Sequence, residues 1–200
     1  MATSQQADDT RGRIVCAAER CFARQGYDGT GVATICASAS VSKGAFYHHF
    51  ASKRALFLAV MERRFAAFEE ALMAAGQATL PVPDQLRQMV DLLQLAFEQN
   101  DQDMPLFLEF WTQALRDPAV RQATLAPYRV YQRFFSQLVE RGVREGSLRE
   151  IDPELGAQVL VLLGSGLFLQ GLLDPEAGRG EHALREGLEL LLNALERREE

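Results

Sequence analysis

"VSKGAFYHHFASKR", Val41 to Arg54, sets two adjacent histidines, three aromatic residues and three Lys or Arg into an otherwise acidic chain. Phe46 and Phe50 lie four apart and share one helical face, while Ala45, Tyr47 and His48 fall on the other. Ser42 and Ser52 are residues of the kind that begin helices, and each is followed at once by lysine, Lys43 and Lys53, with Arg54 after the second. Cations in a first turn oppose the helix macrodipole at a cost of a few tenths to about 1 kcal/mol. The placement becomes favourable where an anion binds, because free amides, a hydroxyl and an ammonium converge on it. Solvated lysines are the plain alternative. Gly44 keeps the surface low for close approach. The stretch therefore predicts a short helix anchored by two phenylalanines, with Tyr47 and His48 presented to a polyanion. A metal site fits poorly, since adjacent helical residues diverge by about 100° and His48 and His49 cannot chelate one ion together. His182 lies far off in sequence, and no HExxH occurs.

Working outward, apolar residues recur at three and four nearly everywhere, which predicts an all-helical chain. Ile14, Ala18, Cys21 and Phe22 mark a first helix that stops at Gly26. Short helices are expected over Val32–Ala39 and Lys43–His49, then a long one over residues 52–74 carrying Phe57, Met61, Phe65, Phe68 and Leu72 on one stripe. After the linker GQATLPVP a helix opens at Pro83 and Asp84. Others are expected over Met104–Leu115, Pro118–Leu125, Tyr128–Arg144, Pro153–Leu173 and Glu181–Arg197, with glycines and prolines as breaks.

The 200 residues, 48% of them hydrophobic, suffice for one large domain or two small ones. The net charge of −6 excludes a protein that coats nucleic acid by cation count alone. That total hides a split: residues 1–64 hold nine Lys or Arg against five Asp or Glu, whereas residues 65–200 hold twelve against twenty-two. A cationic module precedes an acidic body. Cys16, Cys21 and Cys36 form no metal spacing, and with no apolar leader before them a reducing cytoplasm is expected. Leu155 to Leu173 is uncharged, yet Asp152, Glu154, Asp174 and Glu176 bracket it and Gln158 and Gln170 interrupt it, which argues for a buried helix over a membrane span.

From Gly26 to Phe57 the sequence resembles the N-terminal signature of TetR-type bacterial transcriptional regulators: a Gly-Tyr turn, a threonine-led helix and a Val-Ser-x-Gly-x-x-Tyr-x-His-Phe-x-Ser-Lys block. The resemblance is specific over about residues 10–60. It implies an N-terminal three-helix helix-turn-helix DNA-binding domain, residues 1–54, and a C-terminal helical ligand-binding and dimerisation domain, residues 55–200. By position it implies DNA contacts for Thr30, Ser42, Lys43, Ala45, Tyr47, His48 and Lys53, with packing roles for His49 and Phe50; Gly44 joins the contact set on the steric ground given above. Three departures stand out: Gly31 in place of a usual threonine, Ser40 in place of the turn glycine, and Ala45 in place of a frequent threonine. The second asks a serine to hold a turn that glycine adopts more easily.

In the acidic body, aromatic stripes are ordinarily core. The resemblance implies in addition an effector pocket, for which Phe68, Phe97, Phe107, Phe110, Trp111, Tyr131 and Phe134 are the candidates, taking a largely apolar small molecule. The all-apolar helix from Leu155 and the amphipathic helix of Leu184, Leu188, Leu191, Leu192 and Leu195 offer more apolar surface than one small body needs. This predicts a two-fold interface through Leu155, Val159, Leu163, Gly166, Leu188, Leu192 and Leu195. No GxSxG, GxGxxG, P-loop or metal signature occurs, so no enzymatic activity, metal or cofactor is expected. The expected function is a homodimeric, ligand-responsive repressor on double-stranded, pseudo-palindromic DNA. A helical adaptor that has lost DNA binding is the other reading left open by Gly31, Ser40 and the acidity.

Overall fold

The computed structural model describes the backbone of residues 2–76, 80–98, 104–173 and 179–196, and side chains within 9–76, 80–91, 105–166, 169–170 and 185–196. Among them every extended element is a helix, and the chain divides into two compact units, Met1–Ala67 with Asp101–Leu125 and Phe68–Asn100 with Ala126–Glu200. These units do not follow the expected boundary after residue 54, because a central segment, Asp101–Leu125, belongs with the N-terminal one.

In the first unit, α1 spans Ala2–Gly29 and breaks its helical geometry at Gly26, where φ is 70°. A side chain there would be strained in backbone and would also bring its Cβ to 3.1 Å from the Glu109 carboxylate. α2 is Val32–Ala39 and α3 is Lys43–His49, both as expected from the sequence. Ser40 ends α2 at φ 54°, ψ 48°, the only positive φ outside glycine among the described residues. α4 is Lys53–Gly76 and α6 is Met104–Arg116, with α5, Val82–Glu98, between them in sequence. Ile14, Phe22, Ile35, Phe46, Phe57 and Phe110 are buried together, and the ring of Phe57 meets those of Phe22 and Phe110 edge to face at 5.2 and 5.1 Å. The two anchors of α3 thus enter this core, Phe46 fully and Phe50 to 4% exposure.

The second unit takes the end of α4, then α5, most of α7 (Pro118–Glu145), α8 (Pro153–Leu173) and α9 (Arg179–Leu195). Leu72, Val82, Leu86, Leu138, Leu188 and Leu192 are buried in one cluster. Polar ties join its helices: Arg87 donates to both carboxylate oxygens of Glu189 at 2.8 and 3.0 Å and to Glu196 at 2.7 Å. The buried Gln85 donates to the Ala75 carbonyl at 2.9 Å and accepts from Arg141, so both ends of its amide are satisfied.

Two helices were expected over Pro118–Leu125 and Tyr128–Arg144, and one continuous helix is found with Pro127 inside it. Proline removes one backbone donor but permits helical φ, and the stripe of Val120, Tyr131, Leu138 and Val139 buries the segments on either side of it. No helix among the described residues is long and apolar enough to cross a membrane. α8 buries Ala157, Leu160 and Val161 but leaves Leu155, Val159 and Leu162 exposed at 52%, 38% and 55%. The expectation that this helix is buried all round therefore fails within the single chain.

Candidate nucleic-acid interface and ligand cavity

Both predicted serine caps form. Ser42 Oγ accepts from the Ala45 amide at 3.1 Å, and Ser52 Oγ accepts from the Ala55 amide at 3.1 Å. With Phe46 and Phe50 turned into the core, α3 leaves Lys43, Gly44, Tyr47 and His48 exposed and Ala45 half-buried. The Tyr47 ring is braced edge to face on Phe46 at 5.2 Å while 56% of the residue remains open to solvent. This is a rigid, aromatic and basic face with its helix start free of acidic residues. Its backbone is held by Arg13, which donates to the carbonyls of Ala39 and Ser40 at 2.7 and 2.9 Å across the α2–α3 turn.

Two expected contacts are revised by the geometry. Thr30 is 1% exposed, and its hydroxyl donates into α1, to Gly26 O at 2.7 Å and Cys21 O at 3.1 Å. Its side chain is a helix cap and has no surface to offer a phosphate. Lys53 directs its ammonium to the carbonyls of Tyr27 at 2.7 Å and Thr30 at 3.0 Å, 4.2 Å from the centroid of the Tyr27 ring. A cation there neutralises the carbonyl end of α1, so two of its three donors are committed inside the protein. Arg54 is likewise engaged, by the Asp117 carboxylate at 2.7 Å. Of the Lys and Arg in the opening stretch, Lys43 is exposed and has no ion pair or side-chain hydrogen bond among the described residues, which leaves its charge to grip an anion. Sequence periodicity cannot separate Lys43 from Lys53, because the partner carbonyls are some 25 residues away.

The three cysteines are free thiols, Cys21 and Cys36 buried and Cys16 half-buried. Among the described residues no group of His, Cys, Asp and Glu could hold a metal ion.

The second unit contains a cavity of about 110 Å³ lined by Phe68, Leu72, Met89, Tyr131, Phe135 and Leu160, with further aliphatic residues. The Phe68 and Tyr131 rings meet edge to face at 5.0 Å. Of the six expected lining residues whose side chains are described, Phe68 and Tyr131 are found there. Phe110 is fully buried in the core of the first unit, where Phe107 packs against it and Phe65. Trp111 belongs to that same unit and is 36% exposed. Phe134 lies against Gly76 instead, so close that a Cβ on that glycine would stand 2.6 Å from its ring. The side chain of Phe97 lies outside the described residues. Phe135 was missed, and its position next to Phe134 gave no signal for choosing between them.

The expected interface set is also revised. Leu188, Leu192 and Leu195 are 3%, 0% and 4% exposed, spent on the core of their own unit. Leu155, Val159 and Gly166 are exposed and Leu163 is half-buried. Leu162 and Leu190, 55% and 74% exposed, are apolar surface that the sequence reading passed over.

A short helix with a buried apolar side, held behind another helix and showing a basic aromatic face, is a helix-turn-helix DNA-reading unit. Residues 14–60 match the family described as bacterial regulatory proteins, tetR family, and residues 82–195 match the C-terminal region described as BetI-type transcriptional repressor. The chain is 28% identical to the transcriptional regulator UidR of Escherichia coli over 95% of this chain and 94% of that one. It is 31% identical to the regulator CymR of Pseudomonas putida over 74% of each. The crystal structure of E. coli NemR in its reduced form superposes with a TM-score of 0.77 at 27% identity, covering 94% of this chain and 97% of that one. The chain belongs to the tetR family and is a DNA-binding transcriptional regulator.

Proposed function

We propose that this regulator acts as a homodimeric repressor whose two α3 helices read a pseudo-palindromic operator and whose second unit binds a small molecule that releases the DNA. Functionally, residues 1–54 form the DNA-binding domain and residues 55–200 serve effector binding and dimerisation, with α4 belonging to both. The observation that carries the reading is the α3 face: Lys43 stands exposed at a serine-capped helix start, where the amide ends and the ammonium suit a phosphate, and Tyr47 and His48 stand exposed beside it to meet base edges. Dimerisation is supported by α8, whose Leu155, Val159, Leu162 and Gly166 are exposed and recur at four, three and four, one stripe down one side of the helix. Release is supported by the apolar, partly open cavity at Phe68 and Tyr131.

Selecting fragments from the source genome with the purified protein tests the reading. An imperfect inverted repeat, its half-site centres about 10 base pairs or a multiple apart, is the expected product. Enrichment of sequences without two-fold symmetry would overturn it.

A further inference from the structure

We propose that the cavity of the second unit takes a compact, uncharged, largely hydrocarbon molecule carrying one hydrogen-bond acceptor, a carbonyl above all, turned toward the Tyr131 hydroxyl. The inference rests on the effector reading above and names the chemistry of that site. Apart from Tyr131 the described lining is hydrocarbon, the thioether of Met89 and one glycine, with no charged side chain. Tyr131 lines the cavity, and its buried Oη has no hydrogen-bond partner among the described residues. A buried hydroxyl without a partner forfeits the hydrogen bonds water would give it, so a ligand that completes it gains where others do not. Burial, aided by the nearby charge of Glu69, pushes the phenol well above its ordinary value, so it keeps its proton and acts as the donor. The complementary group on the ligand is therefore an acceptor.

Size and charge narrow the class further. An apolar cavity of about 150 Å³ holds benzene, so one of about 110 Å³ that is partly open is on the scale of a single small ring. A cation would need a carboxylate or a cage of open ring faces. Phe68 and Tyr131 are engaged with each other edge to face, Phe135 is engaged with Phe134 at 5.3 Å, and Glu69 does not line the space.

The full-length protein and Tyr131→Phe are titrated calorimetrically with cyclohexanone, with methylcyclohexane and with choline, three probes of similar bulk, and both proteins are melted. Cyclohexanone should bind saturably and lose about fivefold in affinity on Tyr131→Phe, as the loss of one neutral hydrogen bond does, while methylcyclohexane is unaffected or gains. Choline should not saturate. Tyr131→Phe should melt no lower than the parent, since the hydroxyl removed has no internal partner. Ketone affinity indifferent to the substitution, absence of saturable ketone binding, tighter binding of choline, or a markedly lower melting temperature of the variant would each overturn the inference. The genome-selected DNA supplies a separate arm. If the ketone-saturated protein binds Tyr131-dependently yet keeps its operator, the chemistry of the cavity stands and the effector reading fails.

Discussion

At Ser40 the chain holds a left-handed conformation that costs a residue with a Cβ about 1–2 kcal/mol. The strain is local to the α2–α3 turn, where the Ser40 amide reaches Ala37 O at 3.2 Å and the Val41 amide reaches Cys36 O at 3.0 Å. Ser40→Gly should raise unfolding stability by about 1 kcal/mol, read as a higher denaturant midpoint at unchanged slope. A lower midpoint would mean that the serine makes a compensating interaction. Lys43 and Lys53 separate at the same scale. Lys43→Ala should flatten the dependence of log affinity on log salt by about 0.9 for each phosphate left ungripped, with stability unchanged. Lys53→Met removes the donor to two carbonyls of α1, so it should destabilise by about 1–2 kcal/mol while changing the salt slope less than Lys43→Ala does. Equal slope changes in the two variants would return Lys53 to the DNA surface.

Elements are tied by carboxylates whose proton affinity reports the ties. Asp117 is held below the ordinary carboxylate value: burial would raise it, but the amides of Ala119 and Val120 at the start of α7 and the guanidinium of Arg54 outweigh that effect. Glu189 on α9 is lowered chiefly by its hydrogen bond from Arg87 on α5. Both groups take up protons at lower pH folded than unfolded, so acidification favours the unfolded chain. Their stabilisation is complete above the unfolded carboxylate value of about 4 and is lost as pH falls from there through the lower folded values. Asp117→Asn and Glu189→Gln should each make the acid limb of the stability curve shallower, as followed by circular dichroism. A limb as steep as the parent's in both variants would leave these ties without weight. Within α7, Pro127 deprives the Ala123 carbonyl of its helical partner. Pro127→Ala should stabilise the protein by about 1–3 kcal/mol if tertiary packing alone keeps the helix continuous there.

For the whole molecule, the exposed stripe on α8 and the buried stripe on α9 predict opposite responses to the same insult. Leu162→Glu puts a charge on surface that the single chain leaves open, so it should dissociate the proposed dimer and leave folded monomers in sedimentation. Leu192→Glu puts the charge into a core position that is 0% exposed, and unfolding is the expected outcome, at a cost of several kcal/mol. An intact dimer for Leu162→Glu would remove α8 from the interface.

Local sequence determined the elements around the DNA-reading face. Gly26, the serines at positions 42 and 52, and the Phe46 and Phe50 pair act within one or two turns of their own chain. That range is why α2 and α3 stand over Val32–Ala39 and Lys43–His49 as the sequence predicts. The strained Ser40 was legible through the resemblance, since a turn where the family pattern has glycine and this chain has serine announces a cost. What periodicity could not decide was which of several equivalent stripes meets which. Phe107 and Phe110 have the spacing of a pocket wall but belong with the core of the first unit, Trp111 shares that spacing yet stands 36% exposed, and Leu188 and Leu192 have the spacing of an interface but are buried in the core of their own unit. Lys53 turned inward because carbonyls distant in sequence were left unsatisfied at the end of α1, whereas Thr30 turned inward onto carbonyls of the α1 turns just before it. Burial and charge pairing depend on distances that only the folded chain sets, so the helices and their caps were written in the sequence, while the cavity, the free cation and the open apolar stripe were decided by tertiary packing.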